Sequence, residues 1–370
     1  MTGARLSAAM IVRDEERFLD DCLRSLRDLV DEIVVVDTGS SDATMAIARS
    51  HGAKVSEFAW CDDFSAARNA ALERASGDWI LYIDADERVV DGDRAALAPL
   101  LDDPAVAALT VRFRAQLAVT PYREHRLFRR RPDVRFRGLI HETHLPDLFA
   151  VCDREGLRLE HSPLSIEHLG YEGDLAHKHR RNLPLLRARL ERDPGHVYSH
   201  WHLGATLAGA GDEVAAEDAW LRGVEVVRAR RTRTLADSLP HTELVRCRLA
   251  RGEEVSELLA EALRWFPDNY TLVWLQGRAW LAAERFADAL AVFVRLAATD
   301  PERVGGTLGH DRRIFDEQAF AAAGLCCFRL GRFAEAAVWY GRAEQATADN
   351  LEYRLKRTLA ERRAAAQAAF

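Results

Sequence analysis

The chain has 370 residues, 48% of them hydrophobic and 29% charged, the proportions of a folded globular protein, which excludes wholesale disorder. Its formal charge of −7 argues against a dedicated nucleic-acid binder, and 48 arginines against three lysines reflect genomic composition rather than a binding signal. At about 100–200 residues per domain, this length predicts two domains or one domain plus a repeat array.

The first half alternates short apolar strands with helical segments. Leu6–Val12 reads as a buried strand, Glu16–Leu29 as a helix, Ile33–Val36 as a second strand and Ala43–His51 as a second helix, with Ser40, Ser41 and Asp42 as candidate caps. A third strand starts at Val55, a helix spans Ser65–Ala75, and Trp79–Ile83 is another apolar strand. That alternation predicts βαβ units on a parallel sheet. Beyond Asp91 the pattern loosens, and Val106–Phe113 and Val134–Ile140 read as strands of a mixed or antiparallel extension.

From about Leu175 the pattern is helical, with a recurring 34-residue frame. Gly204 with Trp220, Gly277 with Phe293 and Gly324 with Tyr340 occupy its small and aromatic positions, and Leu244–Pro267 fits a shortened pair. Gly277 follows Gly204 by 73 residues, about two repeat lengths. The expectation is three to four helix pairs with an insertion around Gly305–Asp311; a generic helical bundle is the alternative. Six cysteines form no C-x-x-C pair and read as reduced thiols. The N-terminus lacks the apolar core of a secretion signal, and no apolar run reaches the roughly 18 residues of a membrane span. A soluble, cytoplasmic protein is expected.

The residues with chemistry are acidic. Asp84 and Asp86 follow the Trp79–Ile83 strand and, if strand alternation continues, share one face. Their carboxylates suit a divalent cation, Mg²⁺ or Mn²⁺. Asp37 ends another strand, and three acidic groups at neighbouring strand ends would repel unless a metal and nucleotide donors met them.

Four segments resemble family-2 glycosyltransferases of the GT-A fold: Met10–Glu16, Asp31–Ser40, Trp60–Asn69 and Trp79–Glu87. More narrowly they resemble the bacterial branch with a C-terminal tetratricopeptide-like (TPR-like) domain, which includes peptide S-glycosyltransferases. The resemblance implies an α/β GT-A (Rossmann-like) nucleotide-sugar domain with a mixed sheet over residues 1–185, then an all-α TPR-like helical repeat domain over 186–370. It implies that Val12 and Glu15 line the nucleotide base and that Asp37 contacts the base or ribose. Arg68 lies near the base or diphosphate, Asp84 faces the ribose or the metal's waters, and Asp86 binds the metal. Asp14 stands where the family usually has asparagine, which touches the geometry of the first loop; Thr38 replaces a second aspartate, as in the narrower branch.

Such enzymes invert the anomeric carbon in a single displacement, with an acidic residue as base. Glu142, beside His141 in Ile140-His141-Glu142-Thr143-His144, resembles the branch's H-E motif and is the candidate base, with metal or acceptor positioning as the alternative. His168 resembles a position that serves some members as a further metal or diphosphate ligand. His141 and His144, three apart, also have a metal-compatible spacing, though no cysteine completes a zinc frame. The arginines Arg123, Arg126, Arg129, Arg130, Arg131, Arg135 and Arg137 read as diphosphate or acceptor attraction, or as a solvated arginine-rich strand pair. No P-loop, G-x-S-x-G or dinucleotide G-x-G-x-x-G occurs.

The expected co-substrate is a nucleotide-sugar, a UDP-sugar by resemblance, with a divalent cation as cofactor. The expected partner is a peptide or protein acceptor, through a cysteine thiol or a serine or threonine hydroxyl; a homo-oligomer is left open, since the sequence does not fix the oligomeric state. Competing readings are the same mechanism on a saccharide or lipid-linked acceptor, and a non-catalytic adaptor on a decayed transferase.

Overall fold

The computed structural model describes residues 3–114, 119–169, 175–347 and 350–369, with side chains throughout except in 175–179. The chain forms two compact units, one of Met1–Gln116, Tyr122–Pro194 and Gly209–Gly211, the other of Leu117–Pro121, Gly195–Ala208 and Asp212–Phe370.

Among the described residues of the first unit there are eight strands: β1 (Leu6–Val12), β2 (Glu32–Asp37), β3 (Lys54–Glu57), β4 (Trp79–Tyr82), β5 (Glu87–Asp91), β6 (Val106–Arg114), β7 (Tyr122–Arg129) and β8 (Arg158–His168). They form one sheet in the order β3-β2-β1-β4-β7-β6-β8-β5. The β3-β2-β1-β4 half is parallel. β7 joins it antiparallel to β4, and β6 and β8 pair in parallel beyond. Around the sheet lie α1 (Leu19–Leu26), α2 (Thr44–Ser50), α3 (Phe64–Arg74), α4 (Arg94–Asp102), α5 (Leu145–Glu155) and α6 (Leu175–Arg192).

β1 is buried at all but the half-buried Ile11, and all but Ser7 of it is apolar, because helices cover both faces. Leu6, Ala8, Met10 and Val12 belong to the core that includes Leu19, Leu23 and Leu26 of α1. Ala9 belongs to the opposite core, with Val34, Val36 and Ala71. The parallel strands therefore deliver the loops after β1, β2 and β4 to one edge of the sheet, where open α/β folds bind ligands.

Three expectations change. Asp84 and Asp86 are not on a strand: β4 ends at Tyr82, and Glu87 N donates to Asp84 O at 3.1 Å to close a turn into β5. Strand alternation therefore does not govern the two carboxylates. Val134–Ile140 is no strand either. Its apolar residues are buried, but Gly138 at φ +109° and His141 at φ +52° break the extended backbone. Finally, Ser40 and Ser41 do not cap α2. Asp42 Oδ1 accepts from Thr44 N at 2.9 Å, and the two serines bind Asp14 instead.

In the second unit α7 (Val197–Gly209) and α8 (Glu213–Ala229), α9 (Leu239–Ala250) and α10 (Ser256–Trp265), α11 (Tyr270–Ala282) and α12 (Phe286–Ala297), and α13 (Glu317–Arg329) and α14 (Phe333–Ala346) form successive pairs, followed by α15 (Leu351–Ala368). The small and aromatic positions of the frame meet as expected. A Cβ on Gly204 would lie 2.2 Å from Trp220 Nε1, one on Gly277 2.6 Å from Phe293, and one on Gly324 3.0 Å from Tyr340. No helix of the described residues is long and apolar enough to cross a membrane.

Candidate active site

α3 supplies the centre of the site. Asp63 Oδ1 accepts from Ala66 N at 3.1 Å and fixes the helix start. Arg68, one turn on, is 12% exposed and ion-pairs with Glu142 through Nε and with Asp84 Oδ1 through Nη2 at 2.9 Å. Asn69 holds the segment beneath the H-E loop in both directions: Nδ2 donates to Phe136 O and Oδ1 accepts from Phe136 N, each at 2.9 Å. Phe64 N donates to Leu139 O at 2.9 Å. Arg189 of α6 closes the loop from the other side, Nη1 donating to Arg137 O and Ile140 O at 3.3 Å.

These groups line a cavity of about 310 Å³ formed by Phe64, Arg68, Tyr82, Asp84, Arg126, Ile140, His141, Glu142, Arg181 and Asn182. Burial would raise the Asp84 carboxyl, but Arg68 and Arg126 outweigh it and hold the group below the usual carboxylate range. Burial likewise opposes the charge on Arg68, and Asp84 and Glu142 reverse the balance and raise its pKa. Arg126 of β7 sits 4.5 Å over the Tyr82 ring and pairs with Glu87 at 2.9 Å and Glu124 at 2.7 Å. Of the seven arginines in that stretch, it is the one in the cavity. Arg129 and Arg130 donate to main-chain carbonyls, and Arg131, Arg135 and Arg137 pair with carboxylates.

Asp86 is turned to a different partner. The antiparallel pairing of β5 with β8 sets Glu87 opposite His168, and His168 Nε2 lies 3.0 Å from Asp86 Oδ2 with both side chains 20% exposed. Burial depresses the imidazole, and the hydrogen bond and charge of Asp86, with Glu87 and Asp84, outweigh it and raise its pKa. Among the described residues no three His, Cys, Asp or Glu side chains gather in a metal-holding cluster. The donor set of Asp86 and His168 nonetheless fits a divalent cation. One carboxylate and one imidazole nitrogen, both reachable by solvent, leave positions for water and phosphate oxygens.

Asp37 ends β2 and is 2% exposed. Its Oδ2 accepts from Gly39 N and Ser40 N at 3.0 Å, and its buried Oδ1 has no hydrogen-bond partner. A buried carboxylate oxygen without a donor is costly and suits a ligand N–H or O–H. Val12 O accepts from Thr38 N at 2.9 Å, Glu15 N donates to Thr44 Oγ1 at 2.7 Å, and these contacts knit the loops after β1 and β2. Asp14 takes φ +53° and its Oδ1 accepts from Ser41 N at 2.7 Å. Aspartate and asparagine both tolerate that left-handed backbone, so the unusual aspartate keeps the loop geometry.

The structure thus brings Arg68, Asp84, His141 and Glu142 into one cavity, pairs Asp86 with His168, and sets Val12, Glu15 and Asp37 at the adjoining strand ends. It does not use the His141–His144 spacing. His144 is 1% exposed and stacks on Phe128 at 4.4 Å, and burial pushes its imidazole down to about 3. Asn69, Glu87, Arg181 and Arg189 were not singled out from the sequence. The run Ala67-Arg68-Asn69 held a signal for Asn69, whereas the others are defined by partners distant in the chain.

Residues 7–160 match the family model for glycosyl transferase family 2. A TPR repeat-containing protein of Synechococcus elongatus is 43% identical over 227 residues, covering 59% of this chain and 56% of that protein. The SPbeta prophage-derived glycosyltransferase SunS of Bacillus subtilis is 30% identical over 210 residues, covering 51% of this chain and 46% of SunS. The chain spans about half the length of these curated relatives. The solved mannosyl-3-phosphoglycerate synthase from Rubrobacter xylanophilus is similar at 20% identity and TM-score 0.37, over 52% of this chain and 75% of that one. Residues 7–160 are thus similar to family-2 glycosyl transferases and lie on a mixed eight-stranded sheet, and the chain continues into helix pairs that follow a TPR-like frame.

Proposed function

We propose that the chain is an inverting glycosyltransferase that moves a hexose from a nucleoside diphosphate sugar, UDP-linked in our reading, to a peptide or protein acceptor. The observation that carries the reading is the cavity in which Arg68 meets Glu142 and Asp84, beside the donor-seeking Oδ1 of Asp37.

In this reading Asp37 receives a donor hydrogen bond from the base or ribose, with Val12 and Glu15 beside it. Glu142 accepts the acceptor's proton as the nucleophile attacks the anomeric carbon, with His141 beside it. Arg68 orients Glu142 and Asp84. Asp86 and His168 would hold a Mg²⁺ or Mn²⁺ ion, with Asp84 facing its waters. When bound, that ion supplies positive charge to the departing diphosphate.

The peptide acceptor, through a cysteine thiol or a serine or threonine hydroxyl, is supported by the second unit. Stacked helix pairs commonly present a groove for extended ligands, and here a cavity of about 470 Å³ opens among Leu249, Leu259, Gln276 and Trp280. The deciding experiment incubates the full chain and Mn²⁺ with a panel of sugar nucleotides and peptides bearing cysteine, serine or threonine, read by mass spectrometry. Addition of one hexose to a peptide supports the reading. Transfer to saccharide acceptors alone replaces the acceptor class, and absence of nucleotide release with every donor and acceptor defeats the reading.

A further inference from the structure

The cavity holds three arginines, and they are not equivalent. Arg68 is neutralised by Glu142 and Asp84, and Arg126 by Glu87 and Glu124. Arg181, in α6, lines the same cavity, yet no carboxylate among the described residues ion-pairs with it. Its Nε donates to Asn182 Oδ1 at 3.0 Å and its Cζ lies 5.4 Å from the centre of the Phe64 ring. The ring and the amide orient the guanidinium and leave its two Nη groups for a ligand.

Burial and the charge of Arg13 lower the pKa of Arg181, with Glu15 partly opposing them. Arg181 therefore lies within electrostatic reach of the loop after β1, while sharing the cavity with Glu142. A cation placed between the loop expected to face the nucleotide and the carboxylate expected to face the acceptor stands where the two phosphates of a donor must lie. A guanidinium without an ion-paired carboxylate gains most from such an anion, and its fork matches phosphate oxygens.

We propose that Arg181 binds the diphosphate of the donor and neutralises it as it leaves; this rests on the nucleotide-sugar reading above. In the step it serves, the bond between the acceptor atom and the anomeric carbon forms, and the acceptor's proton goes to Glu142. The bond from the anomeric carbon to the phosphate oxygen breaks with its electron pair on that oxygen. The nucleoside diphosphate departs with one more negative charge, which Arg181 meets directly.

The test titrates full-length wild type, Arg181→Gln and Arg181→Lys with nucleosides and their diphosphates by calorimetry, beginning with uridine and UDP. Transfer is then measured with the donor that binds. Loss of a charge-assisted contact predicts that Arg181→Gln weakens diphosphate binding by about 10–100-fold and leaves nucleoside binding and thermal unfolding unchanged. Arg181→Lys keeps the charge but not the fork and should fall between the two. Unchanged diphosphate binding in Arg181→Gln, or an equal loss for the nucleoside, overturns the assignment. A wild type that binds no nucleoside diphosphate overturns the nucleotide-sugar reading as well, so the two failures are told apart by which protein fails.

Discussion

Glu142 accepts a hydrogen bond from Nε of Arg68, a residue 74 positions earlier in the chain. The contact joins the start of α3 to the loop before α5, and the guanidinium continues to Asp84 at 2.9 Å. A single cation therefore fixes two carboxylates from different loops, and in the proposed reaction it aims the base while leaving its second oxygen for the acceptor's proton.

Glu142→Gln keeps the shape and an acceptor oxygen for Arg68 but removes the basic group. Transfer should fall by about 10²–10⁴-fold, the usual contribution of a positioned base, while nucleotide affinity stays within a factor of about two. Single-turnover rates set beside binding titrations check this. Equal losses in both would show that Glu142 only holds the loop.

Arg68→Met removes the cation and leaves Asp84 and Glu142 facing each other's charge. Breaking a buried pair costs about 3–5 kcal/mol; because Asp84 is one-third exposed, about 3 kcal/mol is expected, read as a lower denaturant midpoint with unchanged slope. Arg68→Lys should restore part of the stability but not both contacts, since a lysine cannot fork to two carboxylates.

The parallel half of the fold was legible because β1, β2 and β4 are continuous apolar runs ended by acidic or glycine-rich turns. β7 was not, because Tyr122–Arg129 carries arginines, a glutamate and a histidine along its length; the charges of Arg126 are satisfied by Glu87 and Glu124, which only the folded chain shows. The repeat frame was legible through its glycine and aromatic positions. In the site, motif residues could be named from sequence, but their partners could not. Asp86 and His168 are 82 positions apart and meet through the register of β5 on β8, while the spacing that suggested His141 with His144 reflects core packing.

Asp86→Ala removes the carboxylate from the pair with His168. The expected result is loss of the Mn²⁺-dependent part of nucleotide binding, about tenfold or more in affinity, with little change in thermal unfolding because both side chains are partly exposed. Titrations with and without Mn²⁺ decide the matter. A metal effect that persists in Asp86→Ala would move the cation elsewhere.

Gly138→Ala should disable the loop that carries His141 and Glu142. Gly138 has φ +109°, and a Cβ there would fall 1.1 Å from Arg189 Nη1. Strain of about 1–3 kcal/mol is expected from the backbone alone, and Arg189 must also release the carbonyls of Arg137 and Ile140. Turnover should drop while nucleoside affinity at the β1–β2 edge persists, because Asp37 and Val12 lie on other elements. Unchanged turnover would show that the loop adopts its working geometry without the Arg189 contact.

His144 makes a pH prediction whose sign is fixed by burial. Its pKa is pushed down to about 3 in the fold, against about 6.5 in an unfolded chain. Between these values the unfolded chain binds the proton and the folded one does not, so stability rises with pH across that window and falls as pH drops below about 6.5. His202, His241 and His310 are lowered to about 4 and act in the same direction, so the wild-type slope alone does not isolate His144. Replacing it by phenylalanine keeps a ring on Phe128 and removes the titration. From pH 7 to pH 5 wild type should lose about 2 kcal/mol more than His144→Phe, measured as the difference between their denaturant midpoints. Parallel midpoints across that range would show that His144 takes up its proton without leaving the aromatic cluster.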